Sequence, residues 1–241
     1  MAHTDKVLSF GDYVVREADL DILKGYSWLN DTLIGFYFEY LSNYSKSSSS
    51  KGHNEDTNLA GDNPESARNV CYFVGPEVTQ LVKLISSEDV PEVLKAVLEG
   101  IDAHEYTAFA VNDSNSPSAH SGGTHWSLLI YSKVDSRFVH FDSMNQWNDK
   151  DAKIIVNKLS QHTNNAVFVN NLSCKVQANS HDCGCHVLRN AELILQHVTS
   201  NNGASLLPSS CPSATPQEAA EMRPELLSLI QKLVQSQSNS P

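Results

Sequence analysis

Three successive runs, Tyr106–Asn112, His125–Ser132 and Arg137–Asp142, are rich in β-branched and aromatic residues and bounded by Gly, Asn, Asp or Ser. That is the composition of strands in a buried or half-buried sheet, and it rules out an all-helical chain. Helical patterns lie before and after the runs. Asn30 or Asp31 can cap a helix over Thr32–Ser42, rich in Leu33, Ile34, Phe36 and Phe38. Pro76 suits the first turn of a helix with Val78, Leu81, Val82 and Ile85 on one face, and a short helix follows over Pro91–Leu98. After the strands come a helix over Asp149–His162, a strand over Ala166–Asn170 and a helix over Cys183–Val198. A last helix, Gln217–Gln235, is expected to bend or break near Pro224. Segregated helices and strands predict an α+β fold.

The 241 residues are enough for one domain with a sizeable core. A formal net charge of −11 argues against nucleic acid, whose phosphates need clustered Lys and Arg, and equally against an anionic membrane surface. No apolar stretch approaches the roughly 18 residues of a membrane span, and Met1–Lys6 does not read as a secretory signal. The cysteines, Cys71, Cys174, Cys183, Cys185 and Cys211, are sparse and odd in number. They predict free thiols in a reducing compartment, the cytoplasm or nucleus. The polar stretch 45–69 has too few apolar residues to offset its ordering entropy and is expected to be a disordered insertion within the domain. A polar loop is expected over 201–216, with fraying over Ser236–Pro241.

Chemistry gathers around Cys183. It sits after a polar loop and opens a helix whose Val187, Leu188, Ala191, Ile194, Leu195 and Val198 form one apolar stripe. A thiol at a helix N-terminus faces unpaired N–H groups and the positive end of the dipole, which favours thiolate. Gly184 beside it allows close backbone approach, as a substrate carbonyl needs. For a lone cysteine, inert burial is the commoner outcome. Here His125 opens a strand after Ser121-Gly122-Gly123-Thr124, and Asp142 closes the next strand. Antiparallel pairing of these strands brings the carboxylate to the imidazole, which it would orient while the imidazole takes the thiol proton. Gln177 can donate to a developing oxyanion alongside the Cys183 backbone N–H. Taken singly, each has a plain alternative: a surface histidine, a turn former, a loop amide. His181-Asp182-Cys183-Gly184-Cys185-His186 could also suggest a metal cluster, but no second Cys-x-x-Cys or spaced His pair completes a tetrahedral site.

The segments Gly-Gly-Thr-His-Trp-Ser (122–127), Phe-Val-His-Phe-Asp-Ser (138–143) and Gln-Ala-Asn-Ser-His-Asp-Cys-Gly (177–184) resemble the His, Asp and Gln/Cys motifs of the sentrin/SUMO-type ubiquitin-like-protein proteases. Ser-Trp-Leu-Asn-Asp (27–31) matches the family's N-terminal motif, and the wording is closest to its deneddylase branch. The resemblance covers roughly Val7–Val198 apart from the serine-rich stretch. It implies a papain-like cysteine protease fold in one domain, with a central mixed or antiparallel sheet. It implies Cys183 as nucleophile, His125 as base, Asp142 as orienter and Gln177 as oxyanion donor, with no metal or organic cofactor. Trp28 and Trp126 are then expected to close over the Gly-Gly tail of a modifier, since two indoles leave a slot that only glycines pass; ordinary core packing is the alternative for each. Asp31 is either an N-cap or a reader of a basic residue near that tail. The implied partners are a Nedd-type modifier and its conjugates, such as cullins, met by a monomer. A SUMO protease and an inactive modifier-binding module are the alternatives, and a related acetyltransferase has no distinct support. Cys185 and His186 depart from the apolar or aromatic pair usual in the family.

Overall fold

A computed structural model describes residues 5–50, 70–116, 123–200, 205–206 and 211–238, with 45–50 as backbone only. The chain opens with a hairpin, β1 (Lys6–Phe10) and β2 (Tyr13–Arg16), then α1 (Glu17–Lys24), α2 (Asp31–Ser50), β3 (Cys71–Val74), α3 (Pro76–Leu84), α4 (Val90–Val93) and α5 (Lys95–Ala103). Then follow β4 (Tyr106–Asn112), β5 (Trp126–Ser132), β6 (Arg137–Phe141), α6 (Asp149–Leu159), β7 (Val167–Asn170), α7 (Cys183–Ser200) and α8 (Pro216–Ser238).

The central sheet has the order β3-β4-β5-β6-β7 and is mixed. β4, β5 and β6 are mutually antiparallel, while β3 and β7 add parallel at the two edges. Side-chain alternation sends Tyr106, Ala108, Ala110, Leu128, Ile130 and Val139 into a core with α2, α7 and α8. Phe109, Val111, Leu129, Tyr131 and Phe138 point the other way, into a core with α3, α5 and α6. A sheet covered on both faces explains why β4 and β5 read as nearly continuous apolar runs. The antiparallel register, with Leu128 opposite Phe141, puts the start of β5 and the end of β6 at one end of the sheet.

Several expectations need correction. The helix from Asn30 extends to Ser50, six residues into the stretch read as an insertion, because its backbone continues the α2 ladder; 51–69 lies outside the described residues. In α3 the face toward the protein carries Thr79, Gln80, Val82 and Lys83, whereas Val78, Leu81 and Leu84 are partly exposed. The polar side chains turn inward to satisfy the loop after β4. Gln80 Nε2 donates to Ser114 O (2.9 Å), and Lys83 Nζ donates to the Asn112 and Ser114 carbonyls and pairs with Asp151 Oδ1 at 3.0 Å. The single helix over Pro91–Leu98 is two, α4 and α5. The hairpin, α1 and β3 carry too few residues for a periodic signal.

Within the expected 201–216 loop, Leu206 and Ala214 are fully buried, and Asp135 accepts from Leu206 N (2.8 Å) and Ser205 Oγ. α8 starts at Pro216 because Thr215 and Glu218 form a reciprocal cap, Glu218 N donating to Thr215 Oγ1 (3.2 Å) and Thr215 N to Glu218 Oε2 (2.8 Å). It continues through Pro224 to Ser238, past the expected fraying at Ser236; 239–241 lies outside the described residues. Among the described residues, no helix is long and apolar enough to cross a membrane.

Replacing Lys83 by Met would strand the buried Asp151 carboxylate and two carbonyls. We expect a stability loss of about 3–5 kcal/mol in urea unfolding; a loss below about 0.5 kcal/mol would mean that this pair does not hold the β4 loop.

Candidate active site

The end of the sheet holds the first two members of the site. His125 directly precedes β5 and Asp142 directly follows β6, both buried. His125 Nε2 lies 2.7 Å from Asp142 Oδ1. Nδ1 has no hydrogen-bond partner among the described residues; the group that acts on the ring besides Asp142 is Cys183. Burial alone would lower the imidazole pKa. The bond to Asp142 and then the interaction with Cys183 outweigh it and raise the value to about 9. Asp142 is likewise buried, which favours its neutral form, yet His125 and the N–H groups of Asn148 (to Oδ2, 2.8 Å) and Met144 (to Oδ1, 2.8 Å) hold it below the usual carboxylate range.

Cys183 is the first residue of α7 and is buried. Its neighbour Gly184 is needed for packing: a Cβ there would come within 2.8 Å of the Leu29 side chain. That contact is the one the structure gives for this glycine. Cys185 is fully buried with its thiol pushed up by burial, and His186 is pushed down to about 4, again by burial. Both are neutral core side chains, which explains how they replace an apolar pair. Among the described residues no group of His, Cys, Asp and Glu is arranged to hold a metal ion.

Gln177 is fixed beside Asp142 by its neighbour Ser143. Gln177 N donates to Ser143 O (2.9 Å), Ser143 Oγ donates to Gln177 Oε1 (2.7 Å), and Gln177 Nε2 donates to Asn179 O. A primary amide has two N–H bonds, and the Asn179 carbonyl takes one of them. Trp28 is 47% exposed and donates from Nε1 to Ser180 O (2.7 Å); Trp126 is half-buried and donates to Leu29 O (3.0 Å). Trp28 is therefore no core residue, and both indoles are tied to the segments that flank Cys183 and Trp28. The cap of α2 is Asn30, whose Oδ1 accepts from Leu33 N (3.0 Å); Asp31 is the first helical residue and does not make the cap.

The sequence does not point to two further side chains. Asp113, just after β4, accepts from Thr124 N (2.6 Å), Thr124 Oγ1 (2.7 Å) and His125 N (3.1 Å), and so fixes the backbone that carries the imidazole. Asn148 is buried and donates from Nδ2 to the Val111 and His125 carbonyls and to Ser127 Oγ. Gly123 joins this corner with φ +94°, where any Cβ would strike the Asn112 amide. Asp113 and Asn148 resemble ordinary turn formers in sequence. Only the fold turns them toward His125.

The described architecture has known counterparts. Residues 119–228 match the Ulp1 protease family, C-terminal catalytic domain. Sentrin-specific protease 8 of Mus musculus is 34% identical over 232 residues, covering 94% of each chain. The chain belongs to the Ulp1 protease family. NEDD8-specific protease 1 of Arabidopsis thaliana is 30% identical, covering 95% of this chain and 94% of that protein. The X-ray structure of the C-terminal Ulp1 protease domain in complex with Smt3, the yeast ortholog of SUMO, superposes with a TM-score of 0.62 at 15% identity, covering 97% of this chain and 90% of that one. That likeness speaks to the fold alone, an α+β domain with a mixed sheet of the Ulp1 protease type. As a family member the chain is a cysteine peptidase acting on a ubiquitin-like protein.

With its proton held up to about pH 9, His125 is an imidazolium at neutral pH, so activity should fall on the alkaline side as that proton is lost near pH 9. By linkage, its raised folded value contributes stability that is complete below about pH 6.5 and lost as pH rises through about 9. Asp142→Asn removes the largest interaction that raises the imidazole. We expect kcat to drop by about 100-fold or more and the alkaline limb of the kcat/KM profile to move toward pH 6.5. An unmoved limb would separate Asp142 from the titration of His125.

Proposed function

We propose that the chain cleaves after the C-terminal Gly-Gly of a NEDD8-type modifier, releasing it from conjugates, cullins among them, and maturing its precursor. The observation that carries this reading is the buried His125–Asp142 pair acting on Cys183 at the start of α7. Cys183 Sγ attacks the glycine carbonyl while Gln177 and the Cys183 backbone N–H stabilise the oxyanion. The C–N bond breaks, and the leaving amine takes the proton of His125. The thioester then yields to water, activated by the same imidazole. Trp28 and Trp126 wall the slot for the two glycines, and Asp31, at the start of α2, presents a carboxylate to a basic residue of the tail. Metal ions and organic cofactors have no step to perform. The enzyme is taken to act as a monomer in the cytoplasm and nucleus.

NEDD8 is favoured over SUMO by the relatives. Those at about 30–34% identity over nearly the whole chain are named sentrin-specific protease 8 and NEDD8-specific protease 1, whereas the SUMO-bound neighbour shares only 15%. C-terminal electrophile probes of NEDD8, SUMO and ubiquitin separate the readings. NEDD8 should label the protein at least about 100-fold faster than the others, a difference of roughly 2.7 kcal/mol. Cys183→Ala should lose on the order of 10⁴-fold or more of turnover yet still bind. Preferred labelling by SUMO, or full activity of Cys183→Ala, would overturn the proposal.

A further inference from the structure

We infer that Arg223 is a positioning residue of this peptidase, holding together the loops that carry Trp28 and Cys183 and cancelling the carboxylate beside the nucleophile. It lies in the middle of α8, far in sequence from every motif of the site, and is buried. Its guanidinium makes four bonds. Nε donates to Asp182 Oδ1 (2.8 Å), one terminal nitrogen to Ile22 O (2.9 Å), and the other to Ser27 O (2.8 Å) and His181 O (3.1 Å). Ser27 precedes Trp28, and Asp182 precedes Cys183. The planar fork therefore bridges the backbones on both sides of the slot. The bridge is reinforced from outside by Trp28 Nε1 on Ser180 O (2.7 Å) and by the Tyr26 ring against His181 at 5.2 Å.

The second part of the role is electrostatic. Asp182 is a buried carboxylate one residue from a sulfur that must carry negative charge. Left alone it would oppose the thiolate. The groups that face it are Asn179 Nδ2 at 2.7 Å, the Cys185 thiol at 3.6 Å, His181 Nε2 at 3.9 Å and Arg223. Beyond Cys183, His186 is kept neutral by burial, and His125 is already matched to Asp142. Among these described groups Arg223 is the cation whose charge does not vary with pH near neutrality. It leaves the positive field of the α7 N-terminus to the sulfur.

The test follows alkylation of the Cys183 peptide by iodoacetamide against pH, together with kcat and KM for a modifier C-terminal amide. Arg223→Met should raise the alkylation midpoint by about one pH unit and lower kcat about 10-fold at neutral pH. Arg223→Lys keeps the charge but not the fork. It should hold the midpoint to within about 0.3 unit while raising KM several-fold as the Trp28 wall loosens. Adding Asp182→Asn to Arg223→Met should return the midpoint toward that of the parent. Unchanged midpoint in a folded Arg223→Met would overturn the electrostatic part. Unchanged KM in Arg223→Lys would overturn the positioning part, and decides the matter if the Met variant does not fold. The KM arm rests on the modifier reading, but alkylation needs no modifier. Failure of the parent to cleave would therefore sink that reading without touching the alkylation result.

Discussion

The 2.7 Å bond between His125 Nε2 and Asp142 Oδ1 is the contact around which the rest of the site is arranged. A buried imidazolium is costly, and here the cost is offset by a carboxylate that is itself held by two backbone N–H groups. Everything nearby serves that pair. Asp113 and Asn148 fix the chain on the His125 side, and Ser143 links the Asp142 side to Gln177. The sheet supplies the geometry. Because β5 and β6 run antiparallel, the residue before one and the residue after the other meet at one end without any special loop.

The nucleophile comes from a different layer. α7 packs its apolar stripe against one face of the sheet, which brings its first residue to the sheet end where His125 waits. Gly184 permits that packing by leaving room for Leu29, whose carbonyl receives the Trp126 indole. Fold and site thus share contacts. The closeness of α7 to the Leu29 segment goes with the bonds that tie Trp28 to Ser180 O and Trp126 to Leu29 O.

Much of this was legible in the chain because the signals are local. Strand alternation located β4, β5 and β6, so the meeting of His125 and Asp142 followed from antiparallel pairing, while the apolar stripe located α7 and with it Cys183 as its first residue. What escaped depends on tertiary context. The periodic pattern groups Val78, Leu81, Val82 and Ile85 and does not single out the inward Gln80 and Lys83 of α3, since nothing in it reports that a distant loop needs donors. The Thr215/Glu218 cap has a local spacing signal but lies inside a polar stretch that masks it. Asp113, Asn148 and Arg223 look like turn or surface residues until the chain folds around them. Asp31 could be separated from Asn30 as cap only by the hydrogen bond to Leu33 N.

The account stands on Cys183 as the atom that becomes acylated. Acid-quenched single turnover with a NEDD8-derived C-terminal ester, followed by peptide mapping, tests this directly. The account predicts a modifier thioester on the peptide carrying Cys183, formed as fast as the alcohol is released, with none on the peptide carrying the more accessible Cys174. Hydrolysis with no covalent species, or an adduct at another thiol, would contradict it.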